Sequence, residues 1–112
     1  MLREGLTGMR DSLEAIREAA VRVAEANGAT LAILFGSYAR GTATARSDVD
    51  LIFVEDTDLP FLRRLDRYFD PLADMLRSPV ETLVYTPDEF ERMKERAFIK
   101  RAVEEGIVLY ER

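Results

Sequence analysis

Two aspartates separated by one apolar residue, Asp48 and Asp50 around Val49, stand ten residues after a Gly-Ser pair, Gly36–Ser37. In an extended chain, alternate side chains share a face, so both carboxylates project to the same side with α-carbons about 6.6 Å apart. Like charges at that spacing repel unless a cation lies between them. Hard carboxylate oxygens suit Mg²⁺, which is commonly held by one or two carboxylates together with the phosphates of a substrate. Gly36–Ser37 marks where such phosphates would lie, because glycine lets a ligand approach the backbone and a helical turn offers free N–H groups to an anion. Solvated strand-end aspartates and an ordinary Gly-Ser turn would account for either half alone. The combination of both halves favours the chemical reading.

These residues are positioned by two apolar runs, Leu31–Phe35 and Leu51–Val54, which read as buried strands. The first strand is expected over Ala29–Phe35 and the second over Asp48–Glu55. A helical turn over Ser37–Arg40 and a small polar loop over Gly41–Ser47 separate them. Arg40 and Arg46 lie in this connection. Loop solubility is one role for them, and offsetting the charge of a triphosphate is the other, since guanidinium matches phosphate oxygens well.

Ahead of the strands, Met9, Leu13, Ile16, Ala20 and Val23 recur at helical spacing, predicting a helix over residues 9–27 that stops at Asn27–Gly28. After them, Pro60 opens a helical segment with Phe61, Leu62, Leu65, Tyr68 and Phe69. Asp70–Pro71 is expected to interrupt it and start a short helix to Arg77. These aromatics read as core, and Tyr68 is the one that could instead meet a nucleobase or a partner. A third strand is expected over Val80–Thr86, with Glu81, Leu83 and Tyr85 on one face. Glu81 is either a strand-edge charge facing water or a third acid beside Asp48 and Asp50. Thr86-Pro87-Asp88-Glu89 is a capping-box start for a helix to about Glu105 that buries Phe90, Met93, Ala97 and Ala102. Gly106 ends that helix, and Ile107–Tyr110 is a last short strand or extended tail. Strands alternating with helices give an α/β single domain, with a small β-sheet covered by helices on at least one face.

Composition narrows the chemistry. The 112 residues suffice for one core. With no cysteine and no histidine, carboxylates are left as the metal ligands. A net charge of −5 argues against strong non-specific nucleic-acid binding. No apolar run approaches the roughly 20 residues needed to span a bilayer, and no signal core is evident near Arg3, Glu4 and Arg10, so a cytoplasmic location is expected.

The segment GSYARGTATARSDVDL resembles the Gly-Ser, spacer, Asp-x-Asp motif of the DNA polymerase beta superfamily of nucleotidyltransferases, and the short chain is similar to its minimal nucleotidyltransferase branch. The resemblance runs from Leu31 to about Phe90. It implies a nucleotidyltransferase fold with a mixed sheet, and transfer of a nucleoside monophosphate, AMP from ATP, to a hydroxyl. Ser37 and nearby backbone N–H groups would hold the outer phosphates, and Asp48, Asp50 and Glu81 would hold Mg²⁺. Glu81 stands where the family most often has Asp on the following strand, one methylene longer. The resemblance further implies an acceptor on another protein, since no acceptor-binding domain is expected in so short a chain. In the minimal branch this partner is often a small helical HEPN-domain protein, the toxin of a toxin–antitoxin pair. Two other readings stand beside it: a non-catalytic nucleotide- or toxin-binding module, and a small-molecule adenylyltransferase of the aminoglycoside type.

Overall fold

The computed structural model describes residues 11–112. A four-stranded sheet is built from β1 (Leu31–Phe35), β2 (Val49–Val54), β3 (Val80–Tyr85) and β4 (Ile107–Glu111), in the order β3-β2-β1-β4. β1 runs antiparallel to both β2 and β4, whereas β2 and β3 are parallel. The sheet is therefore mixed, as the family resemblance implies, and Ile107 onward is a paired strand. Six helices complete the described chain: α1 (Leu13–Asn27), α2 (Ser37–Arg40), α3 (Phe61–Arg64), α4 (Asp66–Met75), α5 (Pro87–Met93) and α6 (Ala97–Glu105).

Both faces of the sheet are covered. Ala32, Leu34, Val49, Leu51, Phe53 and Val84 pack against Ile16, Ala20 and Val23 of α1 and Tyr68 and Leu72 of α4. The opposite face sets Ile33, Ile52, Val54 and Tyr85 against Phe90 of α5 and Ile99 and Ala102 of α6. Strand alternation divides these two sets, so one residue of slip in β2 would exchange its core and site faces.

α1 begins at Ser12, whose side chain accepts from the Ala15 N–H, and ends at Gly28 in the left-handed conformation. Ile16, Ala20 and Val23 are buried as their spacing predicts; Leu13, in the first turn, is exposed, and Met9 lies outside the described residues. The break expected at Asp70–Pro71 falls instead at Leu65, and Pro71 sits inside α4. Proline has no N–H for the carbonyl four residues back. That carbonyl, of Arg67, accepts from the Asn27 side-chain amide at 3.1 Å, so the proline is tolerated and α1 is tied to α4. Tyr68 is wholly buried with its hydroxyl 2.5 Å from Glu55, so it serves the core and meets neither base nor partner. Burial and that carboxylate push its phenol well above the usual range.

The single helix expected from Pro87 to Glu105 is two helices, parted at Lys94–Arg96, where Arg96 is extended. Phe90 and Ile99, both facing the sheet, are nine positions apart, half a turn out of phase in a straight helix. A break lets both reach the core. Ile99 takes the buried place expected of Ala97, which is exposed, and Met93 is half-buried.

Arg64, 4% exposed, fixes this second layer. It donates to both oxygens of Glu89 at 2.6 and 3.1 Å, to Leu59 O and to Val84 O. Glu89 is also the capping-box residue that accepts from the Thr86 N–H, and Arg64 holds its carboxyl below the usual range. Arg64→Ala is expected to lower stability by about 2 kcal/mol, less than for a fully buried pair because Glu89 is partly solvated. Urea unfolding checks this, and a loss under about 0.5 kcal/mol would mean that the pair contributes no more than a surface contact.

Candidate functional site

The cross-strand register brings three residues side by side. Phe35 at the end of β1 pairs with Asp50 near the start of β2, and Asp50 pairs with Glu81 near the start of β3. The chain then leaves β1 through Gly36, at φ 77°, directly into α2. A Cβ built on Gly36 would collide with Oδ2 of Asp50 and lie 3.2 Å from its Cγ, so the aspartate occupies the volume a side chain would need. Glycine is required here both for the backbone angle and for the close approach.

α2 is held from beneath by Tyr38, the buried residue of the Gly-Ser segment. Its hydroxyl is 2.8 Å from Ser78 Oγ and accepts from the Asp11 N–H at 3.2 Å. The Asp11 carboxylate in turn accepts from the backbone N–H groups of Arg77 and Ser78. This network joins the approach to α1, the turn α2 and the lead into β3. Nothing in the local pattern around Asp11 announced it, because all its partners are distant in sequence. Ala39 and Arg40 donate the first backbone bonds of the turn to Gly36 O, leaving the Ser37 and Tyr38 N–H groups ahead of the first intrahelical bond.

Asp50 and Glu81 line a cleft of about 340 Å³ together with Phe35, Gly36, Arg40 and four residues of α6: Phe98, Arg101, Ala102 and Glu105. Arg40 lies 3.9 Å from Glu105, both side chains about half exposed. A second, more apolar cleft of about 590 Å³ shares Phe35, Glu81 and Phe98 with the first and extends to Leu65, Phe69 and Leu83. Phe98, 60% exposed, packs edge-on against Phe35 at 5.7 Å. Of the residues singled out by sequence, Gly36, Arg40, Asp50 and Glu81 meet in one cleft. Ser37 is at its edge as the first residue of α2. Asp48 precedes β2, close enough for its charge to act on Asp50. Arg46 is exposed in the connecting loop and does not line the cleft. Arg101 and Glu105 were missed; their four-residue spacing on one helix face was visible, but not what that face would meet.

Burial, then the charges of Glu81 and Asp48, push the Asp50 carboxyl up to about 6, against a lowering by Arg40. The donors are hard oxygens whose repulsion a divalent cation would relieve, so Asp50 and Glu81, with Asp48 alongside, fit a Mg²⁺ site. Among the described residues, no three acids already converge as a closed cage.

The raised carboxyl has a consequence for stability. The folded chain keeps this proton up to about pH 6, while the unfolded chain releases it near 3.8. The contribution is therefore intact below 3.8, falls as pH rises through 6 and stays lost above it. Asp50→Asn has no such proton to release. In divalent-free buffer near pH 7.5 it is expected to exceed wild type by about 1 kcal/mol after solvent screening, with the two alike near pH 4. Thermal melts at both pH values check this; a variant no more stable than wild type near pH 7.5 would contradict it.

Comparison with known proteins agrees with this fold. The nucleotidyltransferase domain family matches residues 16–110. A protein of Methanocaldococcus jannaschii named as a protein adenylyltransferase is 33% identical over 81 residues, covering 70% of this chain and 75% of the relative. Among solved structures, a toxin–antitoxin complex with AMP-PNP superimposes with a TM-score of 0.64 at 22% identity, covering 86% of this chain and 73% of the other. The toxin–antitoxin MntA-HpeT, in a mutant form, gives 0.66 at 21% identity over the same shares. A Sulfolobus solfataricus nucleotidyltransferase gives 0.60 at 22%, covering 89% and 80%. At those identities the structures speak for the fold, while the match over residues 16–110 takes in the sheet up to Tyr110 and both halves of the cleft: the chain belongs to the nucleotidyltransferase family.

Proposed function

We propose that this nucleotidyltransferase moves AMP from ATP, with Mg²⁺, onto a hydroxyl of a partner protein, and that it acts as the antitoxin of a toxin–antitoxin pair in the cytoplasm. The observation that carries the reading is the seating of Asp50 against Gly36 and beside Glu81, which sets paired acids next to the Gly36–Ser37 turn. The M. jannaschii relative's name supports a protein acceptor, and the toxin–antitoxin neighbours support the biological setting. By resemblance to the minimal branch, the partner is a small helical HEPN-domain protein.

In this reading, the N–H groups of Ser37 and Tyr38 and the Arg40 guanidinium hold the outer phosphates. Asp48, Asp50 and Glu81 would hold Mg²⁺, which when bound neutralises charge on the nucleotide oxygens. The acceptor oxygen forms a bond to the α-phosphorus as the bond from that phosphorus to the departing oxygen breaks. Pyrophosphate leaves with the electron pair. Glu81, exposed at the rim, takes the acceptor's proton and returns it to solvent. Most of the acceleration comes from holding the groups in line and from fixed charge around the phosphates.

Two measurements test this. Titration calorimetry is expected to show ATP binding at least tenfold tighter with Mg²⁺ than without, since the paired acids otherwise repel the nucleotide; equal affinity would remove the metal site. Incubation of a genomically adjacent helical partner with ATP and Mg²⁺ should add the mass of one or more adenylate groups to it. The combined variant Asp48→Asn/Asp50→Asn should lose this transfer by at least 1000-fold, because fixed charge at a phosphoryl site supplies several kcal/mol. A folded double variant that protects cells from the partner as well as wild type would establish neutralisation by binding instead. Transfer to an aminoglycoside, with none to protein, would establish the small-molecule reading.

A further inference from the structure

α6 is more than the cover of the second core. Phe98, Arg101, Ala102 and Glu105 fall at positions i, i+3, i+4 and i+7, so one stripe of the helix faces the cleft. Ala102 is buried against the sheet and Phe98 rests on Phe35, which fixes the stripe relative to Asp50 and Glu81. The charges within the cleft are Asp50, Glu81 and Glu105 against Arg40 and Arg101. Arg40 is already opposed by Glu105. Arg101 has no ion pair or hydrogen bond with any described residue. Unpaired among the described residues, this guanidinium lines the cleft as its second arginine, and guanidinium pairs with phosphate through two parallel hydrogen bonds.

We infer that Arg101 is a substrate-binding residue that grips the phosphate tail of the nucleoside triphosphate from α6, across the cleft from the Gly36–Ser37 turn. The inference rests on the nucleotide reading above. It places a basic group on each side of the tail: Arg40 with the α2 amides on one, Arg101 on the other. Glu105, one turn beyond Arg101 on the same stripe, lies 3.9 Å from Arg40 across the cleft. Arg101 thereby supplies the second guanidinium that the sequence pattern had offered to Arg46.

The competing role is structural, because the aliphatic stem of an arginine on a helix face can also pack against its neighbours. Titration of the full chain with Mg²⁺ and AMP-PNP separates the two. Arg101→Ala is expected to weaken binding roughly 10- to 100-fold, the range for a charge-assisted hydrogen-bonded pair, with Arg101→Lys in between. Arg22→Ala removes the same charge from the exposed side of α1 and should stay within about twofold of wild type. Melting temperatures should match throughout. Wild-type affinity in a folded Arg101→Ala overturns the assignment and leaves the nucleotide reading intact. An equal loss in Arg22→Ala overturns it in favour of general charge. A loss in Arg101→Ala accompanied by a lower melting temperature, and not rescued by Lys, overturns it in favour of structure. No AMP-PNP binding by wild type overturns both readings.

Discussion

The structure depends on one close approach, that of the Asp50 carboxylate to the backbone of Gly36. Any side chain at position 36 would have to occupy the space the carboxylate fills, and the φ of 77° disfavours one in any case. The contact couples two demands. β1 must end where α2 begins, so that the turn presents its free N–H groups, and β2 must begin with Asp50 opposite Phe35. A shift in either register would separate the Gly36–Ser37 turn from the acids. Because strand side chains alternate, the same shift would carry Ile52 and Val54 away from the α5/α6 core, so the cores themselves enforce the register.

An acid held this way costs stability. Asp50 is half-buried beside Glu81 and within the field of Asp48, and burial together with those charges raises its carboxyl. Elsewhere, among the described residues, buried charges are met by partners: Arg64 by Glu89 and two carbonyls, Glu55 by Tyr68 and Arg67, and the Asp11 carboxylate by the backbone N–H groups of Arg77 and Ser78, with Nη1 of Arg67 left unpaired. The contrast separates acids that build the fold from the pair left in conflict at the cleft. Strain of this kind is relieved by an incoming cation, which is what a metal-assisted phosphoryl site requires.

The ties that hold the cleft open are polar and distant. The Tyr38–Ser78–Asp11 network keeps α2 on the sheet without covering its N–H groups, and the Arg64–Glu89 pair sets the start of α5. From there the break at Lys94–Arg96 turns α6 so that Ile99 enters the core while Arg101 and Glu105 stay over the cleft. A continuous helix could not present both sets, so the irregularity in the second layer is also what completes the site.

The amino-acid sequence alone determined the strands β1 to β3, the turn at Ser37–Arg40 and the capping box at Thr86, because each is written in local spacing: apolar runs, a glycine stop, a cap three residues before a glutamate. It also located Gly36, Asp50 and Glu81, since alternation along a strand is a local property. What it could not determine was which strands neighbour one another. Pairing is a long-range choice, and only the tertiary structure sets Phe35, Asp50 and Glu81 in a row and folds β4 against β1. The same limit explains the misplaced helix breaks. Pro71 lies inside α4 because Asn27, forty residues before Arg67, satisfies the freed carbonyl; α5 and α6 part because the sheet demands both Phe90 and Ile99. Arg101 lines the cleft, and Arg46 lies outside it, for the same reason. A charge on a helix face reads as solvated until the packing of that helix decides what stands opposite.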